Sequence, residues 1–229
     1  MTVLADICYL CGRPLDNDID NDHVPPRQFY SKEIRGANNP NLLILRTHRA
    51  CNSSYQSDEE YFIHTFAPLV MDTFAGNSIS RELFEQYRKG RNIPLSRKVL
   101  SEFQKYPSGL YLPNGKVIKR FDPSRVWRVV WKIVRGLFMH ECKIFLPEDT
   151  PQQFKIISPG EKPPDDFFLL PDHPIHGRYP GIFDYKYKKF PEINDFHLWA
   201  MLLWDRIIIL VYFHDPYCKC DTCLDPIEV

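Results

Sequence analysis

Cys8-Tyr9-Leu10-Cys11 at one end and His48-Arg49-Ala50-Cys51-Asn52 at the other enclose the stretch on which the fold turns, with Asp22-His23-Val24-Pro25-Pro26 and Asn41-Leu42 between them. Two cysteines two residues apart form a tight knuckle that offers two thiolates to one ion, and His48 and Cys51 repeat the spacing. Cys8, Cys11, His48 and Cys51 thus make a Cys3His set suited to tetrahedral zinc. Such a site is closed, so its zinc is expected to be structural and any chemistry to lie elsewhere. A knuckle that only folds a small domain or binds a partner carries the same signature and stays open as an alternative.

Asp22-His23 lies inside the loop bracketed by the two half-sites, and Asn52 directly follows the last ligand. This order resembles the HNH endonuclease family, whose zinc-bearing members frame a ββα-metal, treble-clef-like active site between two knuckles. The resemblance covers roughly the first quarter to third of the chain. Asn52 stands at the last position of the name-giving triad, and His48 stands where most zinc-bearing members have Cys. The resemblance implies His23 as general base, Asp22 and Asn52 as ligands of a catalytic Mg2+ or Mn2+, and Asn41 as a brace for the loop. It also implies products with 5'-phosphate and 3'-hydroxyl ends.

The residue chemistry agrees with those roles. A neutral His with a pKa near about 6.5 can take a proton from water at neutral pH. Asp22 and Asn52 offer oxygen atoms, which suit a hard ion able to polarise a scissile phosphate. The implied activity is metal-dependent hydrolysis of phosphodiester bonds in DNA. An RNA nuclease using the same site, and a non-catalytic zinc-knuckle adaptor that binds nucleic acid or protein, are the alternatives. Taken alone, Asp16 to Asp22 is an acidic, Asx-rich turn; as an EF-hand it lacks the Gly at its sixth position and the closing Glu at its twelfth.

The 229 residues balance to a formal net charge of zero, but the charges are not evenly spread. Residues 81 to 143 hold 15 basic and 5 acidic side chains, between two acidic flanks. Clustered Lys and Arg would neutralise backbone phosphates; a solvated helix face paired with the acidic flanks explains the run equally well. Arg49, Arg125, Arg128 and Lys132 are the candidate nucleic-acid contacts. An odd number of cysteines, seven, with the first three in metal-ligand spacing, predicts a reducing, cytoplasmic setting. Met1 to Leu10 has neither a basic region nor a long apolar run, so no signal peptide is expected. Trp199 to Phe213 is broken by Asp205-Arg206 and falls short of the about 20 apolar residues of a membrane helix, so no membrane partner is expected.

Outward from the knuckles, the pattern predicts an α+β chain. Leu42 to Leu45 reads as a strand, Pro25-Pro26 stiffens the backbone after His23, and a helix follows with Asn52 or Ser53 as N-cap. Ser80 to Tyr106 reads as one or two helices broken near Ile93-Pro94, and Pro113-Asn114-Gly115-Lys116 as a hairpin. Pro123 to Glu141 is a long amphipathic helix capped by Asp122, with Val126, Val129, Val130, Ile133, Val134, Leu137 and Phe138 on its apolar face. Arg125, Arg128, Lys132 and Arg135 are expected on its polar face, and Trp127 and Trp131 as core or cover rather than base-stacking platforms.

Strands are expected at Phe154 to Ile157, Phe167 to Leu170 and Phe183 to Phe190, then one or two within Leu198 to Phe213, forming an antiparallel sheet. Lys186, Lys188 and Lys189 read as edge-strand lysines. His214, Cys218, Cys220 and Cys223 offer a second possible metal cluster, or reduced cysteines on a tail; Cys142 reads as buried. The expected division is a nuclease module over 1–75, a basic connector over 76–122, an α+β domain over 123–214 and a cysteine-bearing tail over 215–229.

Overall fold

Alternating side chains build an antiparallel ribbon from Ile19–Val24 (β1) and Leu43–His48 (β2), with Asp22 opposite Leu45 and His23 opposite Ile44. The computed structural model describes residues 7–38, 42–105, 117–157, 160–170, 176–179, 181–193, 195–216 and 218. Lys32–Asn38 (α1) lies between the two strands in sequence, and Arg49–Ser53 (α2), Gln56–Phe66 (α3), Phe74–Arg88 (α4) and Ile93–Ser101 (α5) follow. Phe103–Gln104 (β3) and Ile118–Lys119 (β4) then pair antiparallel; the hairpin expected at Pro113 to Lys116 lies outside the described residues. Pro123–Cys142 (α6) leads into Gln152–Ile157 (β5), His176–Tyr179 (β6), Phe183–Phe190 (β7), Phe196–Leu203 (β8) and Ile207–His214 (β9). These last five form one antiparallel sheet in the order β5-β9-β8-β7-β6. The chain is thus α+β with antiparallel sheets.

Local chemistry accounts for most helix boundaries. The Thr73 side chain caps α4 by accepting from Gly76 N at 3.0 Å, and the Asp122 carboxylate caps α6 by accepting from Ser124 N at 3.2 Å. Asn92 adopts φ 56°, a left-handed conformation that Asn tolerates, just before Pro94 opens the first turn of α5. Two expectations need correcting. Asn52 is no N-cap: α2 begins at Arg49 behind His48, and α3 begins behind Tyr55. His48 and Cys51 must face one point, and a helical turn puts residues three apart on one side, so the helix starts earlier. Phe167 to Leu170 is not a strand either; Asp165–Leu169 is a 3-10 turn, entered directly from Pro163-Pro164, with Phe168 and Leu169 exposed.

The core gathers around α6. One continuous set of buried side chains runs from Cys8 through Ile79, Leu83 and Val99 to Phe213. One side of α6 meets the ribbon at Gly136, where an added Cβ would stand 2.7 Å from Val24 Cγ2. Its other side meets the sheet, with Trp131 and Phe138 edge-on to Phe213 at 5.4 and 5.6 Å. Trp127 stacks on Trp131 and, at 4.6 Å, on Phe154, so the tryptophan pair covers β5. Trp204, in the β8–β9 turn, reaches the N-terminal segment: its Nε1 donates to Phe29 O at 3.0 Å and its ring lies 5.2 Å from the Phe29 ring. A smaller cluster containing Ile157, Leu198 and Leu210 packs separately from this set. Lys186, Lys188 and Lys189 follow Tyr185, which faces His176 of β6; Lys189 pairs with Asp195 and Asp215 at 3.0 and 3.2 Å. Cys142 is half-buried, and burial, then the charge of Glu141, pushes its thiol up to about 11. No helix among the described residues is long and apolar enough to cross a membrane.

His197 is 1% exposed, lies flat on Phe213 at 4.9 Å and has no hydrogen bond to either ring nitrogen. Burial, then the charge of Lys189, lowers its pKa to about 4; burial alone brings His64 to about 4. Both rings bind protons in the unfolded chain from about pH 6.5 downward but stay neutral in the fold until about pH 4. Above about 6.5 the two rings make stability independent of pH, and as pH falls from there towards 4 stability is lost because the unfolded chain takes up protons that the fold does not. His197→Phe should raise stability near pH 7 by about 1 kcal/mol and flatten the acid loss, leaving the His64 share. Urea unfolding of both proteins across this range checks it, and an unchanged slope would contradict the assignment.

Candidate metal centre and buried cation site

The first knuckle is a tight loop: Gly12 N donates to Cys8 O at 2.8 Å and Cys8 N to Arg13 O at 2.9 Å. Gly12 takes φ +69°, and a Cβ there would meet the Phe145 ring at 2.8 Å, so glycine answers both the backbone and the packing. The second half-site comes from the end of β2 and the first turn of α2. The candidate ligand atoms of Cys8, Cys11, His48 and Cys51 all lie within 4.8 Å of one another. This group could hold a metal such as zinc. His48 Nε2 lies 3.0 Å from Pro14 O, which can only accept; that bond places the proton on Nε2 and leaves Nδ1 facing the sulfurs, 3.3 Å from Cys11 Sγ. Cys8 Sγ lies 3.0 Å from Thr47 Oγ1 at the ribbon's buried end.

The thiols oppose one another electrostatically. Burial raises the Cys11 pKa, but hydrogen bonds from Arg13, Cys8 and His48 outweigh it and bring the thiol down to about 6. At Cys51, burial, then the charge of Cys8 and the bond to Cys11, push it up to about 12. Three sulfurs this close cannot all ionise alone; a divalent ion at their centre removes the conflict.

A second cluster lies on the inner face of the ribbon. Residues alternate along β1, so Asp20, Asp22 and Val24 share this face while Asn21 and His23 point the other way. The ammonium of Lys132, from α6, donates to Asp22 Oδ1 at 3.1 Å, Asn52 Oδ1 at 3.0 Å and Glu59 Oε1 at 2.6 Å. Its second contact with Asp22, at Oδ2, is 2.8 Å, and the Tyr9 hydroxyl donates to the same oxygen. Around this set, Asn52 Nδ2 donates to Asp20 Oδ2 at 3.0 Å and Gln28 Nε2 to Glu59 Oε2 at 2.9 Å. The Tyr55 ring covers the ammonium at 5.2 Å. Lys132 is 1% exposed and Asp22 5%. Burial raises the Glu59 pKa, opposed by Lys132.

The expected site residues thus separate. Asp22 and Asn52 converge on one point, as two ligands of one cation should, but the cation at that point is Lys132. The oxygen set suits a hard ion in kind; with Lys132 seated it does not fit one in space, since an ion with bonds of about 2.1 Å would need the ground the ammonium holds. His23 is half-buried on the opposite face; burial, then the positive charge of Arg27, lowers its pKa, with a further contribution from Arg35. Asn41 lies outside the described residues. At the C-terminal end Cys218 Sγ lies 3.4 Å from His214 Nδ1, while Cys220 and Cys223 lie outside the described residues.

The four candidate nucleic-acid contacts are all held by carboxylates. Arg49 Nε pairs with Asp18 at 2.7 Å. Arg125 and Arg128 each donate to Asp58 at 2.7 Å, and they lie over the rings of Tyr61 and Tyr55 at 4.3 Å. Lys132 is corrected outright: it is an internal cation and not a surface one. Arg135 is buried as well, its Nε donating to Leu146 O at 2.9 Å and its Nη2 to Leu10 O in the knuckle. The face of α6 that reads as polar is turned towards the N-terminal segment, where acceptors await each cation.

Sequence reading missed Glu59 and Tyr9 as members of the inner cluster. The available signal was a charge on each of two core rows: Glu59 precedes Phe62 and Phe66 on α3, and Lys132 lies between Val129 and Gly136 on α6. No family model, curated protein or solved structure matches this chain.

Zinc content is expected near about one per chain, falling with Cys11→Ser. Stripping the metal with a strong chelator should cost the fold several kcal/mol, because binding energy here is folding energy, and lower the melting temperature. Native mass spectrometry checks the stoichiometry, and a folded chain without zinc would contradict the assignment.

Proposed function

We propose that the chain is an HNH-type endonuclease hydrolysing phosphodiester bonds in DNA, with RNA as the alternative substrate and a structural zinc at Cys8, Cys11, His48 and Cys51. The observation that carries this reading is the union of a ββα unit with the Cys3His group. Asp22-His23 rides on β1, β2 ends in His48, and α2 delivers Cys51 and Asn52 together. The group needs reduced thiols, which suits a reducing compartment such as the cytoplasm.

His23 is the base in this reading. Its lowered pKa keeps the imidazole neutral near pH 7, ready to accept a proton from water. Arg27 is exposed beside it and Arg35 half-buried; their charges would draw a phosphate towards His23. A second reading is a non-catalytic zinc-knuckle module binding nucleic acid or protein. It is favoured by the seating of Lys132 between Asp22 and Asn52, and by the ribbon that separates this cluster from His23.

Supercoiled plasmid incubated with wild type and with His23→Ala, in Mg2+, Mn2+ and EDTA, decides between the two. Nicking by the wild type, reduced about a hundredfold or more in the variant, is the expected result. Equal cutting by both proteins, or none by either with zinc in place, rules out the endonuclease reading. Salt-sensitive binding without product would then support the second.

A further inference from the structure

We propose that Lys132 is the resident cation of the Asp22–Asn52–Glu59 site, a tethered ammonium standing where the HNH reading implies a divalent ion. The inference rests on that reading only for the expectation that an ion belongs there. Three oxygens from three elements, β1, α2 and α3, converge on one nitrogen at 2.6 to 3.1 Å. An ammonium has three N–H donors, and Asp22, Asn52 and Glu59 supply an acceptor for each. The remaining oxygens of the two carboxylates are also engaged, one by Tyr9 and one by Gln28. The set is saturated and enclosed, which distinguishes it from an acidic cluster open to solvent.

The site is therefore gated by one side chain. With Lys132 seated, its charge offsets one of the two carboxylates, and its ammonium fills the point on which the three oxygens converge, leaving a free ion no space there. With the ammonium gone, two buried carboxylates and an amide oxygen face each other uncompensated, a hard-oxygen set of the kind Mg2+ and Mn2+ take. Glu59 is the added member: it supplies the second negative charge, and its place on α3 binds the site to the helix that α6 packs against. Tyr9 and Asp22 join the same site to the first knuckle, so cation and zinc group share a wall.

The test is a Mn2+ titration of the zinc-loaded full chain, followed by electron paramagnetic resonance of unbound Mn2+. Lys132→Met should bind one Mn2+ about tenfold or more tighter than the wild type, and the gain should vanish in Lys132→Met/Asp22→Asn. Equal affinity in wild type and Lys132→Met, abolished in both by Asp22→Asn, would overturn the proposal. Should Lys132→Met fail to fold, lysine-ammonium 1H–15N spectra of the wild type decide alone. A protected Lys132 signal that added Mn2+ leaves sharp is expected; a rapidly exchanging or Mn2+-broadened signal refutes it. Neither readout involves DNA. A failure of Lys132 to hold the site thus shows in ion binding, whereas a failure of the endonuclease reading shows in the plasmid comparison with His23→Ala.

Discussion

A buried ammonium has to be met by acceptors or it will not stay buried, and Lys132 satisfies that condition only if four segments of the chain meet at one place. Asp22 must come from β1, Asn52 from α2, Glu59 from α3 and the lysine itself from α6. Removing one partner from such a buried set typically costs about 3–5 kcal/mol, a large share of the stability of any domain. Arg135, one turn further along α6, repeats the constraint against Leu146 and Leu10. Arg125 and Arg128 repeat it at the surface of α3 through Asp58. Every cation on that face of α6 is thus a strut to the N-terminal segment, and the helix is placed by charge on one side and by apolar contact with the sheet on the other.

The N-terminal segment needs such struts because it buries little by itself. Its ribbon has two short strands, and its α2 has no buried residue at all. Stretches of that size rarely hold a fold without metal or outside support. Here the support comes from two directions. The Cys3His group brings the loop at residues 8–11 against the β2–α2 junction, with Cys11 Sγ 3.3 Å from His48 Nδ1, and α6 closes on the ribbon at Gly136. Trp204 adds a third tie by carrying the far hairpin of the sheet onto Phe29. The N-terminal segment is thereby joined through its core to the C-terminal sheet.

Spacing made the Cys3His group legible, because ligand chemistry fixes both residue types and the distance between them. The apolar row of α6 and the alternation in β7 and β9 were legible for the same kind of reason, a period set by backbone geometry. Lys132 was not. A binary pattern assigns a lysine to the outside, and only the arrival of Asp22, Asn52 and Glu59 from 110, 80 and 73 residues away makes the inside tolerable. The start of α2 was displaced for a related reason, since propensity proposes a cap at Asn52 whereas two ligands three residues apart require the turn to begin at Arg49. Pattern reading sees one element at a time, and these features belong to several at once.

Alternation along β1 then carries the argument to function. A strand cannot send Asp22 and His23 to one side, so the ribbon has a charged inner face closed by Lys132 and an outer face that holds His23 with Arg27 and Arg35 nearby. Proton transfer near neutral pH needs a titratable group that solvent can reach, and on the outer face His23 is one. Cation binding needs converging oxygens, and only the inner face has them, already occupied by the chain's own ammonium. Under the proposed endonuclease reading, the base and the converging oxygens are therefore adjacent in sequence and divided by a single sheet layer in space. In that reading a phosphate approaching His23 would first meet the charge of Arg27, and the inner site would join the chemistry only through a movement of Lys132 away from the three oxygens that hold it.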